Sequence, residues 1–163
     1  MFLVDLSGNV VYSVFKELDF ATNLNKGEWK DSDLGNVFRK TKTAAKDSVA
    51  FFDFKPYAPS ANAPASFIAT PIVGAAGKNI GSLVFQMPVD RINTIMQVAA
   101  GMGKSGETYI VGKDFLMRSN SRFSKEPTIL KTKVDTATVK KALANKSGIE
   151  VTPDYRGIPV FSA

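Results

Sequence analysis

The sequence predicts an α+β protein of two modules, each an antiparallel sheet covered by a helix and long connections. One observation is a repeated pattern: Phe2-Leu3-Val4 with Val10–Ser13 is matched by Tyr109-Ile110-Val111 with Leu116–Ser119. Each pair reads as a hairpin followed by a connecting segment, a helix and further strands. A second is that several strand joints are too short for a parallel crossover, which favours antiparallel pairing. A third is the run of glycines at 101, 103 and 106, which separates the two copies. A length of 163 residues suits one ordinary domain or two very small ones.

The elements follow in order. Phe2–Asp5 and Val10–Lys16 are strand-like runs joined by Ser7-Gly8-Asn9, residues that tolerate positive φ. Glu17–Lys30 is polar and irregular and contains the single tryptophan, Trp29. Asp31-Ser32 supplies capping chemistry for a helix with Leu34, Val37 and Phe38 at i, i+3, i+4 spacing, expected to reach Lys46. Val49–Lys55 is β-rich, and Pro56–Pro64, with three prolines, is expected to be an extended loop. Ala65–Val73 and Asn79–Met87 form a hairpin across Gly74–Lys78. Pro88 opens a helix with an apolar stripe of Val89, Ile92, Ile95, Met96 and Ala99. Glu107–Gly112 and Phe115–Ser119 are expected to pair, and Asp135 to cap a helix with Val139, Ala142 and Leu143 facing inward. Strands at Ile149–Thr152 and Ile158–Ala163 close the chain.

Composition closes two catalytic vocabularies. The chain has no Cys and no His, so thiol nucleophiles, His bases, disulfides and Cys/His metal sites are excluded. The net charge of +6 is uneven: residues 1–99 carry 10 basic and 9 acidic side chains, residues 100–163 carry 11 and 6. In that basic half the cations stand singly except Lys140–Lys141, which reads as a solvated surface before it reads as a membrane-facing or nucleic-acid-binding one. No apolar run approaches the roughly 20 residues of a membrane span, and Met1 is followed at once by a strand rather than by a basic signal-peptide start. The abrupt ends read as those of a piece cut from a longer protein.

Candidate chemistry is sparse. Gly101-Met-Gly103-Lys104-Ser105 evokes a phosphate loop, but that pattern needs a glycine where Val98 stands, and it needs a strand before and a helix after. Asp31 and Asp33 are explained by a helix start. Arg118 and Arg122, flanking Ser119-Asn120-Ser121, read either as an anion clamp or as solvated arginines paired with Glu107 or Asp114. The segment Tyr12–Phe20 together with Asp53–Tyr57 mixes aromatic rings with charges. Tyr12, Tyr57 and Phe67 can form the walls of a ligand site; Lys16 can meet a carboxylate; Asp19 or Asp53 can meet an ammonium. Each of these residues has an alternative reading as packing. The site is expected between the first sheet and the segments Phe15–Trp29 and Phe54–Pro64. A His- and Cys-free hydrolytic enzyme using Lys16 with Asp19 or Asp53 is the competing class.

Tyr12-Ser-Val-Phe-Lys-Glu-Leu-Asp-Phe20, Tyr57-Ala-Pro-Ser60 and Gly106-Glu-Thr-Tyr-Ile-Val-Gly112 with Leu116-Met-Arg-Ser119 resemble bacterial methyl-accepting chemotaxis proteins. The resemblance is to their extracytoplasmic double Cache (tandem PAS-like) sensor domains, and it covers essentially the whole chain. It implies a membrane-distal PAS-like module at 1–100 that holds the ligand, and a membrane-proximal module at 101–163, truncated. It implies a sensor that is not an enzyme and needs no cofactor. Its ligand is expected to be an amino acid, organic acid or amine, and its parent a membrane-anchored homodimeric receptor of the inner membrane, with no nucleic-acid partner. The same sensor type precedes histidine kinases and nucleotide cyclases, which stand as the alternative output. The long helix that leads into the first module in that family is missing here, so the chain is expected to be monomeric or weakly dimeric.

Overall fold

A computed structural model describes all residues Met1–Ala163, which fall into two compact units, Met1–Pro88 and Val89–Ala163. The protein is α+β, with antiparallel sheets and few helices.

The first unit is built on strands β1 (Phe2–Asp5), β2 (Val10–Ser13), β3 (Ala50–Tyr57), β4 (Ala63–Val73) and β5 (Asn79–Gln86). They form one antiparallel sheet in the order β2-β1-β5-β4-β3. The β1–β2 turn needs Gly8, at φ 91. Asp5 secures the turn by accepting the Asn9 backbone and side-chain N–H groups, each at 2.8 Å. Alternation sends Phe2, Val4, Val10, Phe67, Ala69 and Val84 to one buried face. Helix α1 (Asp33–Lys42) lies on that face through Leu34, Val37 and Phe38, all fully buried. The connection between β2 and α1 adds Leu24 to the same core, with Trp29 packed at its margin.

Ser32 caps α1 by accepting the Gly35 N–H at 3.3 Å. Gly35 is required because a Cβ there would run into the Lys30 carbonyl. The helix stops at Lys42 rather than Lys46. The Asn79 amide from β5 donates to the carbonyls of Lys42 (3.2 Å) and Ala44 (3.0 Å), satisfying the helix end there. On the sheet side, the Thr41 hydroxyl meets that of Ser82 at 2.8 Å.

The three prolines do not form an extended loop. β3 runs through Tyr57, a single 3-10 turn occupies Ala58–Ser60, and β4 starts at Ala63, with Pro56 opposite Pro64 and Tyr57 opposite Ala63. Left-handed Ala61 (φ 52) and Asn62 (φ 60) close the reversal. Pro56 lies on an edge strand, where a missing N–H costs least.

The second unit opens with α2 (Val89–Met96), directly after Pro88. The helix groups with this unit: the Thr108 hydroxyl donates to the Met96 carbonyl at 2.9 Å, and the Asn120 N–H to the Asn93 side chain at 2.7 Å. No residue of α2 is fully buried, and Ile95 and Ala99 of its expected stripe stand in solvent. The expected Glu107–Ser119 hairpin is reduced to a single bridge, Val111 with Met117. Residues 115–118 instead divide their backbone bonds. Met117 N–H reaches Thr132, Arg118 N–H reaches Ile110, and Phe115 accepts from Val134. Met117, Ile129 and Val134 form a small apolar centre. Helix α3 (Ala137–Leu143) is capped by Thr136 rather than Asp135: the Thr136 hydroxyl accepts the Val139 N–H at 3.4 Å, while Asp135 pairs with Lys140 at 2.8 Å. β6 (Glu150–Pro153) and β7 (Pro159–Ser162) make a two-stranded hairpin.

Candidate functional site

The site residues expected from the sequence separate into two groups. Asp19, Tyr57 and Phe67 come together on the buried face of the first sheet; Tyr12 and Lys16 do not join them.

Asp19 sits in the connection between β2 and α1 and is 0% exposed. Its Oδ2 accepts the Tyr57 hydroxyl at 2.7 Å. Its Oδ1 is buried with no hydrogen-bond partner. Burial pushes the Asp19 carboxyl above its ordinary value. The Tyr57 hydrogen bond and, more weakly, the residue's own backbone N–H and the Met1 amino group pull it down, while nearby Glu17 pushes it up. Tyr57 is raised well beyond the usual tyrosine range, first by burial and then by its bond to Asp19 and that residue's charge. The Tyr57 ring meets Phe67 edge-on at a centroid distance of 5.0 Å, and Phe2 lies 6.4 Å from Phe67 on the other side. A polar rim continues outward: Ser60 donates to Glu17 at 2.7 Å, and Gln86 reaches Ser60 at 3.4 Å.

Tyr12 is 42% exposed because a bulge between Leu3 and Val4 sets the β1–β2 register. Tyr12 pairs with Leu3 on the open face of the sheet, and Ser13 pairs with Phe2 on the buried one. Lys16 is exposed. Its ammonium lies 5.7 Å from the centre of the Phe20 ring, and no carboxylate pairs with it. Lys16 and Ala21 flank Asp19 with left-handed backbones, φ 50 and 59. Asp53 lies at an irregularity in the β3–β4 pairing and accepts the N–H of Phe54 at 2.7 Å.

The second unit holds polar residues that sequence reasoning missed. Glu107 accepts the Ser121 hydroxyl at 2.7 Å and the Tyr155 hydroxyl at 2.8 Å. Tyr155 stands edge-on to Tyr109 at 5.5 Å. Its hydroxyl is pushed up to about 12, chiefly by burial, with Glu107 adding to the shift and Ser121 opposing it. Asp154 holds Arg156 through Nη2 at 2.6 Å and Nε at 2.8 Å. The Asp154–Gly157 turn had a readable signature in its Asp and its glycine at φ 78. The meeting of Glu107 with Tyr155 across 48 positions had none. Arg118, considered above as half of an anion clamp, is buried and pairs with Asp114 at 2.9 Å. Arg122 donates to the Gly103 carbonyl at 3.0 Å.

No family model and no curated protein matches the chain. Among solved structures it is similar to the ligand-binding domain of the Pseudomonas fluorescens chemoreceptor CtaA in complex with L-serine, at 15% identity and a TM-score of 0.48. That likeness covers 80% of this chain and 51% of the other, so the chain spans about half the length of the protein it matches. No helix is long and apolar enough to cross a membrane.

Proposed function

We propose that this chain is an extracytoplasmic ligand-sensing domain of a bacterial chemoreceptor, of the double Cache (tandem PAS-like) type. In this reading it binds a small molecule in the first unit and passes a conformational signal to a membrane-anchored, dimeric receptor. The motifs at Tyr12–Phe20, Tyr57–Ser60 and Gly106–Ser119 support the family reading.

The observation that carries the binding reading is the Asp19 carboxylate. It is wholly buried, hydrogen-bonded to Tyr57 through one oxygen and unpartnered at the other. A buried carboxylate without a full set of partners lowers stability, so packing alone does not account for it. Sites that bind or react are where such groups concentrate. An ammonium group is the partner that Oδ1 lacks, which favours an amino acid or amine as ligand, with Tyr57 and Phe67 as its walls. The segment bearing Asp19 also carries Lys16. Swung inward, Lys16 would face a ligand carboxylate. The left-handed residues Lys16 and Ala21 store backbone strain of about 1 kcal/mol or more each, which opening of the segment would release.

A thermal-shift screen of amino acids, organic acids and amines tests this reading. A ligand at 100 times its dissociation constant adds about 2.7 kcal/mol to stability. The expected result is a stabilising, unconsumed amine or amino acid. A panel with no stabilising compound, or one in which the stabilising compound is turned over, overturns the reading.

A further inference from the structure

The second unit contains a cavity of about 380 Å³, within the size range of small-molecule sites. Its lining combines an apolar part, Val139 and Leu143 of α3 and Val160 of β7, with a polar end made of Glu107, Tyr109 and Arg156. The charges at that end are not equivalent. Arg156 is committed: its guanidinium grips Asp154 and stacks over Phe123, 4.5 Å from the ring centre, and Tyr155, 5.4 Å away. Asp154 is likewise spent on Arg156 and on the backbone N–H groups of Arg156 (2.7 Å) and Ile158 (3.1 Å). Glu107 makes no ion pair. Two hydroxyls, from Ser121 and Tyr155, orient it; the nearest cation, Arg156, acts on it only at a distance and is itself paired with Asp154. A carboxylate accommodates about four hydrogen bonds, so Glu107 retains accepting capacity. The charges at this end sum to one negative, two carboxylates (Glu107 and Asp154) against one guanidinium (Arg156), and after burial both carboxylates raise the Tyr109 hydroxyl while Arg156 opposes them.

We propose that this cavity is a second ligand site, distinct from Asp19, for a small organic cation: an ammonium group seated on Glu107 beside the face of Tyr109, with an apolar tail along α3. A cation over an aromatic ring beside a carboxylate gains from both. An anion of the same shape meets an unpaired carboxylate and finds the one arginine occupied. The ligand class therefore follows from charge, and the apolar wall sets the preference for a hydrocarbon or aromatic tail.

The proposal does not rest on binding at Asp19, and the test keeps the two apart. Phenethylamine and its anionic counterpart 3-phenylpropionate are titrated into the full chain, with backbone amide resonances followed by NMR. Phenethylamine is expected to shift residues 107–111 and 139–143 saturably, in the wild type and in Asp19→Asn alike. Glu107→Gln is expected to weaken that binding about tenfold, the loss of one charge-assisted hydrogen bond. Ala142→Trp, at an exposed helix position lining the cavity, is expected to abolish it without unfolding the unit. The proposal is overturned if 3-phenylpropionate binds as tightly as phenethylamine. It is equally overturned if Ala142→Trp leaves the shifts unchanged, or if the shifts are absent from residues 107–111 and 139–143.

Discussion

The two units solve the same packing problem to different degrees. The first buries one face of a five-stranded sheet under α1 and the β2–α1 connection, with Leu24, Leu34, Val37, Phe38, Phe67 and Val84 fully enclosed. The second has a two-stranded hairpin, two helices with no buried residue and an apolar centre of Met117, Ile129 and Val134. Sheet width decides the outcome. Five strands present enough alternating apolar residues to exclude water, so a charged group caught beneath them, Asp19, must find protein partners or lack them. Two strands do not, and polar residues of the loops around them, Glu107, Asp154 and Arg156, line an open cavity instead.

The largest test of this contrast is core truncation. Phe38→Ala in the first unit is expected to destabilise by about 3–5 kcal/mol, while Leu143→Ala in the second, whose side chain is partly in solvent, costs less than about 1 kcal/mol. Chemical denaturation of both variants checks it; equal losses would erase the distinction.

A smaller effect is a pH dependence that Asp19 contributes against the trend of the carboxyls held below their ordinary value, Asp5, Asp114, Asp135 and Asp154. The folded Asp19 carboxyl is raised above its ordinary value of 3.8 by burial. The native state therefore holds this proton more tightly than the unfolded chain does. The Asp19 contribution to stability therefore falls as pH rises from that ordinary value through the folded one, and is lower above it. Asp19→Asn, which removes the titration, is expected to remove that contribution from the stability profile. Denaturation midpoints across acid pH measure it, and an unchanged slope would show that Asp19 is not the group responsible.

The smallest expected effect is at the surface of the second unit. The Lys141–Glu150 pair, 50% and 30% exposed, joins α3 to β6, and Lys141→Ala should cost less than about 1 kcal/mol, further reduced in high salt. A larger loss would show that this bridge holds the hairpin in place.

These differences also mark what could be read from residue order. Strands of the first unit were legible because Phe2–Asp5, Ala65–Val73 and Asn79–Gln86 alternate over a wide sheet, and α1 because Leu34, Val37 and Phe38 share a face. The side on which Tyr12 falls was not legible. It depends on a bulge after Leu3 that shifts the register by one residue, and side-chain facing has a period of two. Nor was the end of α1, which is set by Asn79 from a strand 37 positions away. The pairing of Asp19 with Tyr57 spans 38 positions, from the β2–α1 connection to the last residue of β3, and no local pattern marks it. In the second unit the Glu107–Gly112 run has strand composition, yet its neighbours bond to residues 132–134, a long-range choice that no local pattern announces.

The most direct test of the central claim is calorimetry of the best stabilising amine or amino acid with wild type, Asp19→Asn, Tyr57→Phe and Glu107→Gln. The account predicts that a ligand of the first unit loses about tenfold or more in affinity with Asp19→Asn, less with Tyr57→Phe, and nothing with Glu107→Gln. Undiminished affinity in Asp19→Asn would contradict the assignment of the sensing site to the buried carboxylate.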